Sequence, residues 1–272
     1  MILKTLAESA RMRVESAKQI VPYDVLKDRV KGSVNSREAF AFEKALKSSG
    51  ISFICELKKA SPTKGEIAPV FPYKEIAMEY EEAGAHAISV LTEPEYFKGR
   101  DQFLKEISEL VSTPTLRKDF IIDAYQIYES KLLGADAVLL ICALLDNHTL
   151  NRYLEICDEL GLSALVEAHT EEEVASAIEA GARLIGVNNR NLKTFEVDIH
   201  TCIALRELVP EHIIYVAESG ISSREDIAML EKAGVDAVLI GEALMRSSDK
   251  KTMLSYLKAN SSKSAPAGDR HG

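Results

Sequence analysis

Short apolar runs alternate along this chain with longer stretches whose apolar residues recur every three or four positions. One phrase returns at near-regular intervals: "AGAHAISVL" from Ala83, "LGADAVLLI" from Leu133, "AGARLIGVN" from Ala180 and "AGVDAVLIG" from Ala233. In each phrase a glycine closes a helix in the left-handed conformation that suits a C-terminal cap, and a strand follows. Four more strands are expected between these phrases, at "SFICELK", "TPTLRKDF", "SALVEAH" and "IIYVAESG". Helical patterns fill the gaps at Tyr73 to Ala83, Arg100 to Leu110, Asp123 to Leu133, Thr149 to Leu160, Glu171 to Ala180, Asp198 to Leu208 and Ser223 to Ala233. Alternating strands and helices imply right-handed βαβ units and a parallel sheet. Eight strands of this kind can close into a (β/α)8 barrel, an α/β fold. The rival, an open doubly wound sheet, usually announces itself with a GxGxxG turn, and the chain has none.

Residues 1–50 precede the first barrel strand and read as a helical extension packed on the barrel. Leu3, Leu6, Ala10, Val14 and Ala17 fit one amphipathic helix, and a second is expected from Ser36 to Lys47. Spacing leaves open whether they cap the bottom of the barrel or reach toward its rim. Residues 51–259 are assigned to the barrel, and the small, polar segment 260–272 reads as a disordered tail.

Composition narrows the function classes. A 46% hydrophobic content supports a large core, and the net charge of -9 argues against a nucleic-acid surface. Cys55, Cys142, Cys157 and Cys202 form no CxxC and read as buried thiols of a reducing compartment. The charged N-terminal stretch lacks a signal-peptide core, and no run approaches the ~20 apolar residues of a membrane span. A soluble, cytoplasmic protein is expected. The six histidines show no ligand spacing, so no metal site is expected.

In such barrels the active site lies at the C-terminal ends of the strands. There the sequence places Glu56 and Lys58, then Arg117, Lys118 and Asp119, then Glu167, then Asn188 and Arg190, then Glu218, Ser219 and Gly220, and finally Gly241. Strand alternation puts Glu56 with Lys58, Leu165 with Glu167, Asn188 with Arg190, and Val216 with Glu218 on shared faces. For the third strand, alternation allows Lys118 inward, or Arg117 and Asp119 inward. A lone charged pair such as Glu56 and Lys58 usually reads as a solvated salt bridge. Polar groups at five separate strand ends read instead as one mouth. Ser219, Gly220 and Gly241 close the last two strands, where barrels often hold phosphate on backbone N–H groups. The lysine-rich loop "KKASPTKGEI" could be a lid, with Ser61 as a donor to an anion, or an ordinary solvated turn. His169 reads as structural, and Cys55 as core.

The phrases "CELKKASPTKG", "VLTEPEYFKG", "LRKDFIIDAYQIYES", "ADAVLLI", "LVEAHT", "IGVNNRNLKTFEVD", "ESGI" and "LIGEALM" occur in order and on the expected strands. Together they closely resemble the indole-3-glycerol phosphate synthase family, from the N-terminal helices to about Met245. The resemblance implies a carboxy-lyase of tryptophan biosynthesis. Such an enzyme acts on 1-(2-carboxyphenylamino)-1-deoxyribulose 5-phosphate and needs no cofactor. It implies that Lys118 faces inward as general acid. Lys58 would contact the substrate carboxylate, and Glu167 would be the base in dehydration. Glu56, Asn188 and Glu218 would complete the polar shell. Ser61, Ser219, Gly220 and Gly241 would hold phosphate, Phe97 would hold the aromatic ring, and Arg190 would support the site. Glu242 is awkward beside phosphate unless its carboxylate points away. A monomer or weak homodimer is expected, open to association with other enzymes of the pathway. The related phosphoribosylanthranilate isomerase, which relies on a Cys and an Asp, is the nearest enzymatic rival; a non-catalytic phosphate-binding barrel is the rival from another class.

Overall fold

The computed structural model describes residues 2–32, 37–48, 50–192 and 194–259. Eight strands form the barrel: β1 (Ser52–Leu57), β2 (Ala87–Leu91), β3 (Thr115–Lys118), β4 (Ala137–Ile141), β5 (Ser163–Ala168), β6 (Leu184–Asn188), β7 (Ile214–Glu218) and β8 (Ala237–Ile240). Each pairs in parallel with its neighbours in sequence, and β8 closes on β1. The closed sheet settles the choice against a doubly wound fold.

Helices α1 (Ile2–Ile20), α2 (Tyr23–Gly32) and α3 (Ala41–Ala45) precede the barrel. The outer layer is α4 (Tyr73–Glu82), α5 (Asp101–Leu110), α6 (Ala124–Leu132), α7 (Asn147–Glu159), α8 (Glu171–Glu179), α9 (His200–Leu205), α10 (Arg224–Lys232), α11 (Glu242–Arg246) and α12 (Lys250–Lys258). Among the described residues no helix is long and apolar enough to cross a membrane.

The core has two parts, and strand alternation decides which residue joins which. Outward-facing residues such as Phe53, Cys55, Ile88, Val138 and Val166 pack under the helices. Inward-facing Ile54, Leu116, Leu139, Leu165, Leu184, Val216 and Leu239 fill the barrel, with Phe42 and Leu46 of the α3 segment among them. At the C-terminal ends of the strands, the inward row reads Glu56, Leu91, Lys118, Ile141, Glu167, Asn188, Glu218 and Gly241. An apolar layer thus supports a charged one.

The N-terminal helices realise both orientations that spacing left open. Around α3, Leu46 O accepts from Ser52 Oγ at 3.1 Å and Glu43 N–H donates to Ser163 Oγ at 3.2 Å. These are the starts of β1 and β5, so α3 plugs the bottom. At the opposite end, Ile2, Leu3 and Leu6 of α1 line the mouth.

The helix expected over Ser36 to Lys47 is corrected to Ala41–Ala45; Ser36 itself lies outside the described residues. Phe40 sits at φ 58°, a left-handed conformation that stops the helix from extending backward. Arg37 instead anchors this segment to Asp136 and to the Thr113, Ser108 and Val111 carbonyls. Helix α2 was not expected. Its signal is small: Pro22 at the start, Asp24 in the first turn, and the buried pair Leu26 and Val30. The helix placed at Asp198 to Leu208 is shorter, running His200–Leu205 into a 3-10 turn at Arg206–Leu208. The tail, 260–272, lies outside the described residues.

Candidate active site

The charged inward row forms the floor of a cavity at the C-terminal end of the barrel. Glu56 is buried at the end of β1, and Lys58, just past the strand, pairs with its Oε1 at 2.5 Å. On β3, Lys118 faces inward, with its Nζ 3.4 Å from Glu167 Oε2 and 3.5 Å from Glu218 Oε2. Its neighbours face the other way. Arg117 meets Asp101 and Glu129 outside the barrel, and Asp119 takes a bidentate contact from Arg13 of α1. The alternation left open by the sequence is thereby decided.

Burial alone would push Lys118 toward its neutral form. Glu218, Glu167 and Glu56 outweigh that and hold its pKa above that of an ordinary lysine. The two carboxyls diverge. Burial raises Glu218 to about 7, assisted by Glu167 and Glu56 and opposed by Lys118. Glu167 is equally buried, yet Lys118, His169 and a hydrogen bond from Asn188 hold it below the usual carboxyl value. Asn188 Nδ2 donates to Glu167 Oε1 at 3.3 Å, while its Oδ1 accepts from Arg190 N–H at 3.0 Å. The Arg190 guanidinium donates to Phe195 O.

Two glycines make room for the carboxylates. A Cβ on Gly241 would lie 2.5 Å from Glu56 Oε1, and one on Gly186 would lie 2.3 Å from Glu218 Oε1. Real Cβ atoms do not approach so closely. Gly241 therefore has a packing duty toward Glu56 beyond the phosphate contact expected of it. At the end of β7, Ser219 and Gly220 take consecutive left-handed conformations, φ 67° and 80°. Glu242, which looked awkward beside phosphate, directs its carboxylate along α11 to Arg246 Nε at 2.9 Å.

The cavity has two lobes that share Glu56, Lys58, Lys118, Arg190, Phe195, Ser219 and Glu242. One lobe is walled largely by apolar groups: Leu3, Leu6, Phe97, Phe120, Leu139 and Ile141. Phe97 is held there by Glu93, a fully buried carboxylate that accepts from the backbone N–H groups of Glu95, Tyr96 and Phe97. The other lobe is lined by Lys64, Ser219, Gly220, Ser222, Gly241 and Arg246. Ser61 lines the apolar lobe from a small hairpin, Ala60–Ser61 against Gly65–Glu66, and its Oγ accepts from Lys64 N–H at 3.2 Å. Every residue expected at the site therefore borders one cavity. Leu3, Phe120, Leu139, Ile141 and Glu93 were not anticipated; apolar residues on a wall carry the same signal as apolar residues in a core. Cys55 faces away under the helices, and burial pushes its thiol up to about 12, which makes it a poor nucleophile.

The profile described as indole-3-glycerol phosphate synthase matches residues 3–257 of this chain. The chain belongs to the indole-3-glycerol phosphate synthase family. The indole-3-glycerol phosphate synthase of Ruminiclostridium cellulolyticum is 59% identical, over 96% of this chain and 100% of that protein. The protein of the same name from Lachnoclostridium phytofermentans is 52% identical, over 95% of this chain and 99% of its own length. Among solved structures, 3-hexulose-6-phosphate synthase from Salmonella typhimurium superposes with a TM-score of 0.62 at 19% identity, covering 77% of this chain and 97% of that one. A likeness at that identity shows the shared barrel alone.

Proposed function

We propose that this member of the indole-3-glycerol phosphate synthase family converts 1-(2-carboxyphenylamino)-1-deoxyribulose 5-phosphate to indole-3-glycerol phosphate, carbon dioxide and water. The observation that carries the reading is the two-lobed cavity. An apolar lobe and a lobe lined by cations, serines and glycines meet at Lys58 and Lys118. The substrate has the same polarity, with an aromatic ring at one end, a phosphate at the other and the reacting carbonyl between them.

The chemistry follows from that placement. The ring carbon that bears the carboxylate attacks the keto carbon, and Lys118 donates a proton to the keto oxygen as it becomes a hydroxyl. An ammonium held charged by three carboxylates suits a developing alkoxide in a site shielded from water. The C–CO2 bond then breaks, and its electrons restore the aromatic ring. Lys58, positioned by Glu56, contacts the carboxylate before it leaves and protonates the departing hydroxyl. Glu167 removes a proton from the adjacent carbon, completing the indole with loss of water. Asn188 orients Glu167, and Glu218 shares Lys118 with it. Phe97 supports the ring, Arg190 braces the rim, and Ser219, Gly220 and Gly241 receive the phosphate, whereas Ser61 borders the apolar lobe.

The test is an assay in chelator with the carboxyphenylamino substrate, following indole fluorescence and carbon dioxide release together. Both signals are expected at equal rates. Binding of substrate with neither signal would make the mouth a binding site and overturn the reading.

A further inference from the structure

His169 lies two residues past Glu167, where β5 gives way to the loop before α8. Read from the sequence it is a structural histidine. Its surroundings in the fold are more particular. Glu173, in the first turn of α8, accepts from the His169 backbone N–H at 2.7 Å and lies 3.2 Å from its Nδ1. One carboxylate oxygen thereby holds both the backbone and the ring of this residue. Its other nitrogen, Nε2, is closed off from solvent and lies 3.4 Å from Glu167 Oε1.

We propose that His169 is a positioning residue for Glu167, a fixed second cation that holds the carboxylate in place and ionised when Lys118 turns to the substrate. The inference rests on the reading of Glu167 as the base of the dehydration step. The two oxygens of Glu167 are served unequally. Oε2 faces Lys118, while Oε1 faces Asn188 Nδ2 and His169 Nε2. Lys118 cannot serve Glu167 fully while protonating a substrate oxygen, and Asn188 brings no charge. His169 is the cation near Glu167 that the reaction does not engage. The charged and titratable groups facing it are Glu167 from β5, Glu173 from α8 and Glu218 from β7, and they outweigh burial and hold the imidazole above its ordinary pKa. Glu173 keeps the ring from swinging away. His169 and Glu173 also line a cleft that adjoins the main cavity through Leu3, Asn188, Arg190 and Leu192.

The test combines His169→Ala, His169→Gln and Glu167→Gln. In His169→Ala, kcat should fall about tenfold or more with KM within about twofold, the pattern of a lost contribution to the chemical step. The acid limb of the kcat–pH profile should move up, because Glu167 loses a neighbouring positive charge. His169→Gln, which can still donate a hydrogen bond, should recover part of kcat but leave the acid limb shifted. In an NMR titration of the free enzyme, one of the six histidines should titrate above ~6.5. That resonance should vanish in His169→Ala and titrate lower in Glu167→Gln. An unmoved acid limb and kcat in His169→Ala, with only the melting temperature reduced, would overturn the proposal. Wild-type turnover in Glu167→Gln would instead remove the base itself, a failure of the underlying reading rather than of this inference. The NMR result is independent of turnover: a His169 resonance unchanged by Glu167→Gln would refute the coupling even in an inactive preparation.

Discussion

Arg117 and Lys118 are consecutive residues on β3, both cations, and both surrounded by carboxylates. They face opposite sides of the barrel wall. Arg117 is 1% exposed, and each of its three nitrogens has a hydrogen-bond partner. It reaches Asp101 and Glu129 at 2.8 Å, and the Thr92 hydroxyl, Gln126 carbonyl and Ser130 hydroxyl at 3.2 to 3.3 Å. Lys118 has only long contacts, 3.4 Å and 3.5 Å, to Glu167 and Glu218, and its Nζ borders open cavity. A buried cation with a hydrogen-bond partner on every nitrogen, two of them carboxylates at 2.8 Å, has little left to offer a ligand. One held charged by neighbours it only loosely touches keeps its donors for an incoming oxygen. The difference separates a group that builds the wall from one suited to work in the mouth.

The comparison breaks most readily at Lys118. Lys118→Ala should lower turnover by ~10² to 10⁴, the range for loss of a general acid, while thermal stability changes little. Without the ammonium, Glu167 and Glu218 can share a proton instead of repelling each other as two buried anions. Steady-state assays beside a circular-dichroism melt would check both halves. A drop in stability as large as the drop in rate would put Lys118 in the same class as Arg117. Arg117→Met should show the reverse. It leaves the Ser130 and Thr92 hydroxyl oxygens without the guanidinium donor and Asp119 with one fewer cation, while the Gln126 carbonyl keeps the Ser130 hydroxyl. The expected loss is on the order of 3 kcal/mol in urea unfolding, with turnover per folded molecule preserved. Loss of turnover in the fully folded fraction would mean that the two faces of β3 are coupled.

The strands and the polar row were legible because both follow a period of two. A glutamate closing a run such as "SALVEA" stands out, and parity puts Glu167 beside Leu165 without further information. The same logic failed at β3, since Arg117, Lys118 and Asp119 are all charged and both parities look equally polar. Only the curvature of the closed sheet, which brings Glu167 and Glu218 to Lys118, separates them. Helix α2 was obscured because its apolar face is little more than Leu26 and Val30. The apolar lobe was obscured for a different reason. Leu3, Phe97, Phe120 and Leu139 come from four distant parts of the chain, and their convergence is a property of the fold. Gly186 and Gly241 could be read as tight turns or strand glycines, yet the space they leave belongs to the Glu218 and Glu56 carboxylates.

The smallest expected effect concerns pH and tests how loosely the inner cluster is satisfied. Burial, with repulsion from Glu167 and Glu56, raises the Glu218 carboxyl to about 7 against the opposing pull of Lys118. An unfolded glutamate releases its proton near ~4.3. Between these values the folded protein binds more protons than the unfolded chain, so stability present below the window is lost as pH rises through it. The full shift corresponds to about 4 kcal/mol at most, of which about 3 kcal/mol falls between pH 5 and 8. Glu167, held below the ordinary value, acts in the opposite sense but only at lower pH, so the comparison belongs above about pH 5. Glu218→Gln removes the titration. From pH 5 to 8 the wild type should therefore lose stability relative to this variant, by up to about 3 kcal/mol, in parallel urea unfolding curves. A constant difference across the range would mean that Glu218 stays ionised against Lys118. The inner pair would then be satisfied as fully as Arg117 is with its own carboxylates, and the contrast between the two faces of β3 would lose its electrostatic basis.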